Sequence, residues 1–293
     1  MAILKNIKTN PLILSVIFSA LYALLTVIQQ SAVRSVIIPE HLNFLSNFIA
    51  ALFVAVYFLL RKRNSIFITS RKGLILGILC GIIGSGIADY LVLIGLKYSS
   101  SINWGVLFRL STLTTVVFSA LLLNIMIRKK EAAVFAFAII GSLIVVWPKN
   151  SIVHFNFGDL IFIFAVISYG LLNVTTESAL KYIRPDQFLL LRLASGALVT
   201  TIPLSIKPLD INLFRLNPNI FTPVLLNAFV LIVGLCLVIN IINSAGASFF
   251  ALATNLIPVF TIILAAIILK EMPSPLQLLG GAVIVGSLVY FVR

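Results

Sequence analysis

Charge is scarce in this 293-residue chain. Asp, Glu, Lys and Arg make up only 10% of it, while 61% is apolar; soluble domains run near ~25% and ~45–50%. That shortage excludes an ordinary water-soluble domain, because long apolar runs, not one buried core, hold the excess. Acidic residues are fewest, eight against 21 basic ones. In a soluble chain the resulting +13 would point to nucleic acid. Here the basic residues cluster in short connectors, as in the cytoplasmic loops of membrane proteins, so no nucleic-acid partner is expected. The two cysteines, Cys80 and Cys236, each sit inside an apolar run, which argues against a disulfide framework. The two histidines, His41 and His154, fall at connector positions, and no His/Cys cluster has metal spacing. No P-loop, GxSxG or HExxH pattern occurs, which argues against ATP-driven transport by this chain alone and against an enzyme of those classes. No cofactor is expected.

What is present is ten apolar runs of spanning length. They cover roughly 11–33, 42–60, 73–97, 102–126, 131–147, 158–180, 186–206, 219–242, 247–269 and 275–292. Continuous apolarity excludes barrel strands, which alternate over about ten residues. The fold class is therefore an all-α integral membrane protein with ten transmembrane helices. Lys5 and Lys8 before the first run could mark a signal peptide. That run is longer than a leader's apolar core, however, and it recurs in mid-chain.

The recurrence is YALLTVIQQSAVR from Tyr22 and YGLLNVTTESALK from Tyr169, aligned without a gap at an offset of 147. PEHLNFLSNFIAAL from Pro39 matches PDQFLLLRLASGAL from Pro185 at 146, and IIGSLIV from Ile139 matches IVGSLVY from Ile284 at 145. Offsets near half the chain length indicate duplication, with repeats over 1–147 and 148–293. Each repeat holds five runs. Because five is odd, the second copy is expected to insert upside down, the plan of many secondary transporters with a midplane site between repeats.

Basic residues set the orientation. With the N-terminus inside, Lys5, Lys8, Arg61, Lys62, Arg63, Arg71, Lys72, Arg128, Lys129, Lys130, Lys181, Arg184 and Arg293 are cytoplasmic, whereas Arg34, Lys97, Lys149, Lys207, Arg215 and Lys270 are outside. This bias predicts a multi-pass protein of the cell (inner) membrane with both termini cytoplasmic.

The segment NSAGASFFALATNLIPVFTIILAAIILKEMPSPLQLLGGAVIVGSL from Asn243 to Leu288 resembles the EamA family of the drug/metabolite transporter superfamily. The matching elements are Ser244-Ala245-Gly246, Pro258 in mid-run, Lys270-Glu271, and Gly280, Gly281 and Gly286; GLKYSSSINWGVLF looks like the corresponding first-copy stretch. Leu113 and Met126 depart from the pattern where Pro258 and Glu271 stand in the second copy. The resemblance implies a ten-helix transporter of small organic solutes, amino acids or other metabolites, often an exporter, with a central cavity between the halves.

Ionisable groups inside spans mark function by default. Asp89 and Arg109 lie ten residues either side of a turn near Ser99, roughly 10–15 Å deep at 1.5 Å per residue, and so suit a pair. Glu177 and Arg192 repeat this about Arg184-Pro185. These charges either contact a charged or zwitterionic solute, with Asp89 or Glu177 carrying a coupling proton, or close as structural ion pairs. Gly105, Arg109, Thr112 and Ser119 share one helical face, as do Ala251, Thr254, Pro258, Thr261 and Ala265; both faces suit either close packing or the solute. Pro258 frees a mid-membrane carbonyl that protein or a cavity must satisfy. Tyr22, Thr26 and Gln29, and their copies Tyr169, Asn173 and Thr176, form duplicated polar faces. Trp104 is expected in the interfacial aromatic belt. The candidate substrate-binding set is Tyr22, Asp89, Arg109, Thr112, Tyr169 and Asn173. The expected protein is a secondary transporter in the lipid bilayer, a monomer or homodimer. Its alternatives are a membrane-embedded lipid-modifying enzyme, which would need a convergent acid/base or metal constellation, and a non-transport structural subunit.

Overall fold

Apolar runs with no polar backbone partners nearby must satisfy their own N–H and C=O groups, and in lipid only helices and closed barrels do so. The computed structural model has helices joined by short turns, and no strand, among the residues it describes, 10–35, 37–60, 70–99, 101–124, 129–146, 156–208, 218–260, 263 and 275–292. The helices are α1 (Pro11–Ser35), α2 (Pro39–Leu60), α3 (Arg71–Gly81), α4 (Asp89–Tyr98), α5 (Ser101–Leu107), α6 (Leu110–Leu123), α7 (Lys129–Val146), α8 (Phe157–Leu180), α9 (Pro185–Val199), α10 (Pro218–Ala253) and α11 (Pro275–Val292). A π-helical segment, Ile82–Ala88, joins α3 to α4, and 3₁₀ turns cover Ile202–Ser205 and Thr254–Leu256. Thr261, Ala265, Lys270, Glu271 and His154 lie outside the described residues.

Local signals explain the starts. Proline opens α1, α2, α9, α10 and α11, where its missing N–H costs nothing. The Ser70 hydroxyl accepts from Gly73 N at 3.1 Å to begin α3, and Asn156 with Asp159 forms a reciprocal capping box at α8.

Among the described residues, seven helical stretches are long and apolar enough to cross a membrane: Pro11–Arg34, Pro39–Leu60, Arg71–Tyr98, Asn103–Leu123, Phe157–Leu180, Pro185–Ser205 and Ile220–Phe260. Two shorter apolar helices, Ala132–Ile144 and Leu278–Tyr290, lie within α7 and α11. The break expected at residues 243–246 is present as a kink between two helices within Pro218–Ala253, with no intervening loop. The helix continues to one non-helical residue, Gly246, at φ 85° and ψ 166°, a conformation open essentially to glycine alone. His41, expected in a connector, instead lies buried in the first turn of α2, its Nε2 3.0 Å from the Pro208 carbonyl oxygen.

Lipid as solvent turns the usual burial pattern round. Leu60, Phe53, Leu121, Leu198 and Phe229 are exposed, while Asn43, Asn47, Ser85, Arg109, Thr112 and Arg192 are buried. Packing partners recur in the two halves. Helix α1 packs on α10 as α8 packs on α3 and α4; α2 packs on α10 as α9 packs on α3. Helices α2 and α9 also meet each other, as do α7 and α11. Small residues permit the closest of these approaches. A Cβ on Gly81 would lie 2.5 Å from the Arg192 carbonyl oxygen, so α3 and α9 touch backbone to backbone.

Candidate functional site: the central cavity

A cavity with about 1010 Å³ of non-atom space, its open mouth included, lies between α1, α2, α4, α6, α8, α9 and α10. Tyr22, Asp89, Tyr169 and Asn173 line it. Its wall is aromatic and aliphatic, with Phe18, Leu25, Phe108, Leu231 and Phe250, interrupted by Gln29, Asn43, Asn47, Arg192, Asn227 and Thr254.

Hydrogen bonds fix most of these polar groups. The Tyr169 hydroxyl donates to Asp89 Oδ1 at 2.5 Å, and Asn173 Nδ2 donates to Thr115 Oγ1 at 3.1 Å. Gln29 Nε2 donates to Asn227 Oδ1 at 2.9 Å, and Asn227 Nδ2 to Ser46 Oγ at 3.0 Å, tying α1, α10 and α2 together. Asn43 Nδ2 donates to the Ser85 carbonyl at 2.9 Å, inside the π-helical segment. The duplicated tyrosines meet at one place: Tyr22 stacks between Phe18 and Phe108, and Phe108 meets Tyr169 edge-on, centroids 5.6 Å apart in each case.

Arg109 and Thr112 are elsewhere. Proline cannot donate to the carbonyl four residues back; for Pro258 that carbonyl, Thr254 O, accepts instead from Ile257 N in the 3₁₀ turn and has room for a second donor. Arg109 Nη1 donates to this oxygen at 2.7 Å and Arg109 Nε donates to Gly105 O at 3.0 Å, with the guanidinium 5.2 Å from the Phe108 centroid. Thr112 Oγ1 donates to Ala251 O at 3.0 Å and accepts from Asn255 Nδ2 at 3.2 Å. Both side chains join α5 and α6 to α10; neither is among the cavity-lining residues.

Neither expected ion pair forms, and the reason is rotational. A π turn inserts a residue relative to an α-helix, which rotates the next part of the helix by about 100°. Matching depth was therefore insufficient: α4 turns Asp89 away from Arg109 and toward α8 and α9. Asp89 is held by the Tyr169 hydroxyl, and the guanidinium that shares its cavity is Arg192 of α9. Bare Gly84 makes the room, since a Cβ there would lie 3.0 Å from Arg192 Nη2. Glu177, the expected partner of Arg192, points the other way. Its Oε2 accepts from Ala247 N at 2.7 Å, and Lys181 Nζ lies 3.9 Å from its Oε1. Trp104 also differs from expectation. It is 2% exposed, packed 4.9 Å from Phe108, 5.0 Å from Phe162 and 6.1 Å from Tyr169, because α5 leans on α8 and not on the lipid interface.

Ionisable groups and duplicated polar faces did not point to Asn43, Asn47 and Asn227, which also line the cavity. The signal was available: an Asn pair at i and i+4 in the second run, and a lone Asn in FTPVLLNAFVLIVG.

The EamA-like transporter family's model matches residues 10–147 and, a second time, residues 156–293. A solved crystal structure of a protein is similar over 95% of this chain and 94% of its own, with a TM-score of 0.73 and 16% identity, which speaks for the fold alone. No curated protein sequence matches.

Proposed function

Because this chain belongs to the EamA-like transporter family, a family of multi-pass membrane transporters of small solutes, we propose that it is a secondary transporter working by alternating access. Its ten helices form halves 1–147 and 148–293 that insert in opposite senses and rock about the central cavity. The solute is a small organic metabolite, the direction is efflux, and both termini face the cytoplasm of the cell membrane. The observation that carries this reading is the position of the cavity. Tyr22 and Tyr169, counterparts in the two copies, both line it, and the helix pairs around it recur with copies exchanged. The Tyr169–Asp89 bond at 2.5 Å supports Asp89 as the proton carrier, since it is a cavity carboxylate held by a neutral donor.

Cysteines at Tyr22, Asn173 and Thr112 test the arrangement. In membranes, Tyr22→Cys and Asn173→Cys should react with water-borne thiol reagents from at least one side, while Thr112→Cys stays protected between α6 and α10. Protection at all three positions would defeat the cavity reading. Loss of the pH dependence of transport in Asp89→Asn is expected; an unchanged profile removes Asp89 as the proton carrier.

A further inference from the structure

The two buried guanidiniums are not equally finished by the fold. Arg109 is 2% exposed and spends its donors on Gly105 O and Thr254 O. Arg192 is 4% exposed, lines the cavity, and makes no hydrogen bond with any described residue; its Nε is a buried donor without a partner. A guanidinium carries five N–H donors that cannot be deprotonated in a protein, and leaving them unmet away from water is costly. No ion pair closes between Arg192 and Asp89 among the described residues, and one Asp89 oxygen is already held by Tyr169. On the same wall Asn47 Oδ1 is a buried acceptor without a partner. It lies 3.5 Å from where a Gly196 Cβ would be, one turn of α9 beyond Arg192.

The charged groups on the cavity wall are Arg192 and Asp89. Asp89 already has the Tyr169 hydroxyl as a donor, so the guanidinium is the charge left without a hydrogen-bond partner. A cationic group would be repelled there, whereas an anionic one would meet the open donors. A carboxylate also fits the fork of Arg192 donors, and a hydroxyl or N–H beside it would meet Asn47 Oδ1.

We infer that Arg192 anchors the carboxylate of a small organic acid that carries a hydrogen-bond donor for Asn47 Oδ1. The inference rests on the transporter reading of the same cavity and adds the anionic group that the solute presents.

A test needs no substrate in hand. In the purified full chain, with Cys80 and Cys236 replaced by Ala, Leu231→Cys places one thiol on the cavity wall. Its reaction rates with 2-sulfonatoethyl and 2-trimethylammonioethyl methanethiosulfonate, one anionic and one cationic, are each divided by the rate with free 2-mercaptoethanol. The anionic reagent should be faster by on the order of tenfold, the size of effect a charged low-dielectric cleft produces. Arg192→Gln should bring the ratio toward one, Arg192→Lys should keep it, and Asp89→Asn should raise it. Shifts in opposite directions cannot come from misfolding. A faster cationic reagent, or a ratio indifferent to Arg192→Gln, overturns the anion inference and leaves the transporter reading standing. Reaction with neither reagent marks a dry cavity and overturns both.

Discussion

The duplicated helices α1 and α8 each end by completing a neighbour's helix terminus, but with charges of opposite sign. At the end of the bundle near Pro39, Arg34 of α1 donates to Leu96 O at 3.3 Å and Ser99 O at 2.5 Å, satisfying carbonyls where α4 stops. At the end near Pro185, Glu177 of α8 accepts from Ala247 N at 2.7 Å, where the helix resumes after Gly246. The alignment pairs Arg34 with Lys181 and Gln30 with Glu177. The copies therefore kept the place of the contact and changed which side chain makes it. Helix ends explain the choice: a C-terminus presents unmet carbonyls and a negative dipole end, an N-terminus unmet N–H groups and a positive one. One copy meets the former with a cation, the other the latter with an anion.

The comparison breaks most severely at Gly246. Any L-residue there is strained at φ 85°, ψ 166°, so Gly246→Ala should lower stability by about 1–3 kcal/mol, read as a fall in the unfolding midpoint of detergent-purified protein. Ser99, where the first copy turns, sits at φ −129° and ψ −170°, extended backbone that any residue adopts. Ser99→Ala carries no such backbone strain and should lose only the bonds of the Ser99 hydroxyl, chiefly to Asp159 Oδ1 at 2.5 Å; a loss larger than that of Gly246→Ala would mean that this bond, and not the backbone, sets the difference between the two turns.

Glu177→Ala comes next. Its carboxylate is mostly buried and bonded to a helix N-terminus, so removal should cost about 1.5–3 kcal/mol. Glu177→Gln keeps an acceptor and should recover most of that loss. If Gln and Ala are equally destabilising, the ion pair with Lys181, and not the cap, carries the effect. Arg34→Ala should matter least, about 0.5–1 kcal/mol, because the Arg34 side chain is itself exposed and its removal opens the Leu96 and Ser99 carbonyls that it covers to solvent. A loss at Arg34 exceeding that at Glu177 would reverse the ranking of the two ends.

The legible part of the site is the part that needs no knowledge of neighbours. Tyr22, Tyr169 and Asn173 could be found because duplication marks positions irrespective of which neighbour a helix meets. Asp89 was found because a carboxylate in an apolar run is conspicuous. Its partner could not be found from depth, since the segment Ile82–Ala88 changes the azimuth of everything after it. Arg109 is the converse case. Its residue type suggested a ligand, yet the carbonyl of Thr254, at the aligned position of the second copy, takes its charge. Trp104 was assigned to an interface from its place in the run, and the lean of α5 on α8 buried it.

Composition, run length, proline positions and the repeat offset by themselves determined that this is a helical membrane protein built twice over. Those properties depend on backbone hydrogen bonding in lipid and on local propensity, which act over a few residues at a time. Tertiary structure alone decided that Arg192 and not Arg109 faces the cavity, that Glu177 closes a helix end and not an ion pair with Arg192, and that three asparagines join the wall. Each depends on a rotation of about 100° or on one glycine's missing Cβ, and such angles are set only when helices from distant parts of the chain come into contact.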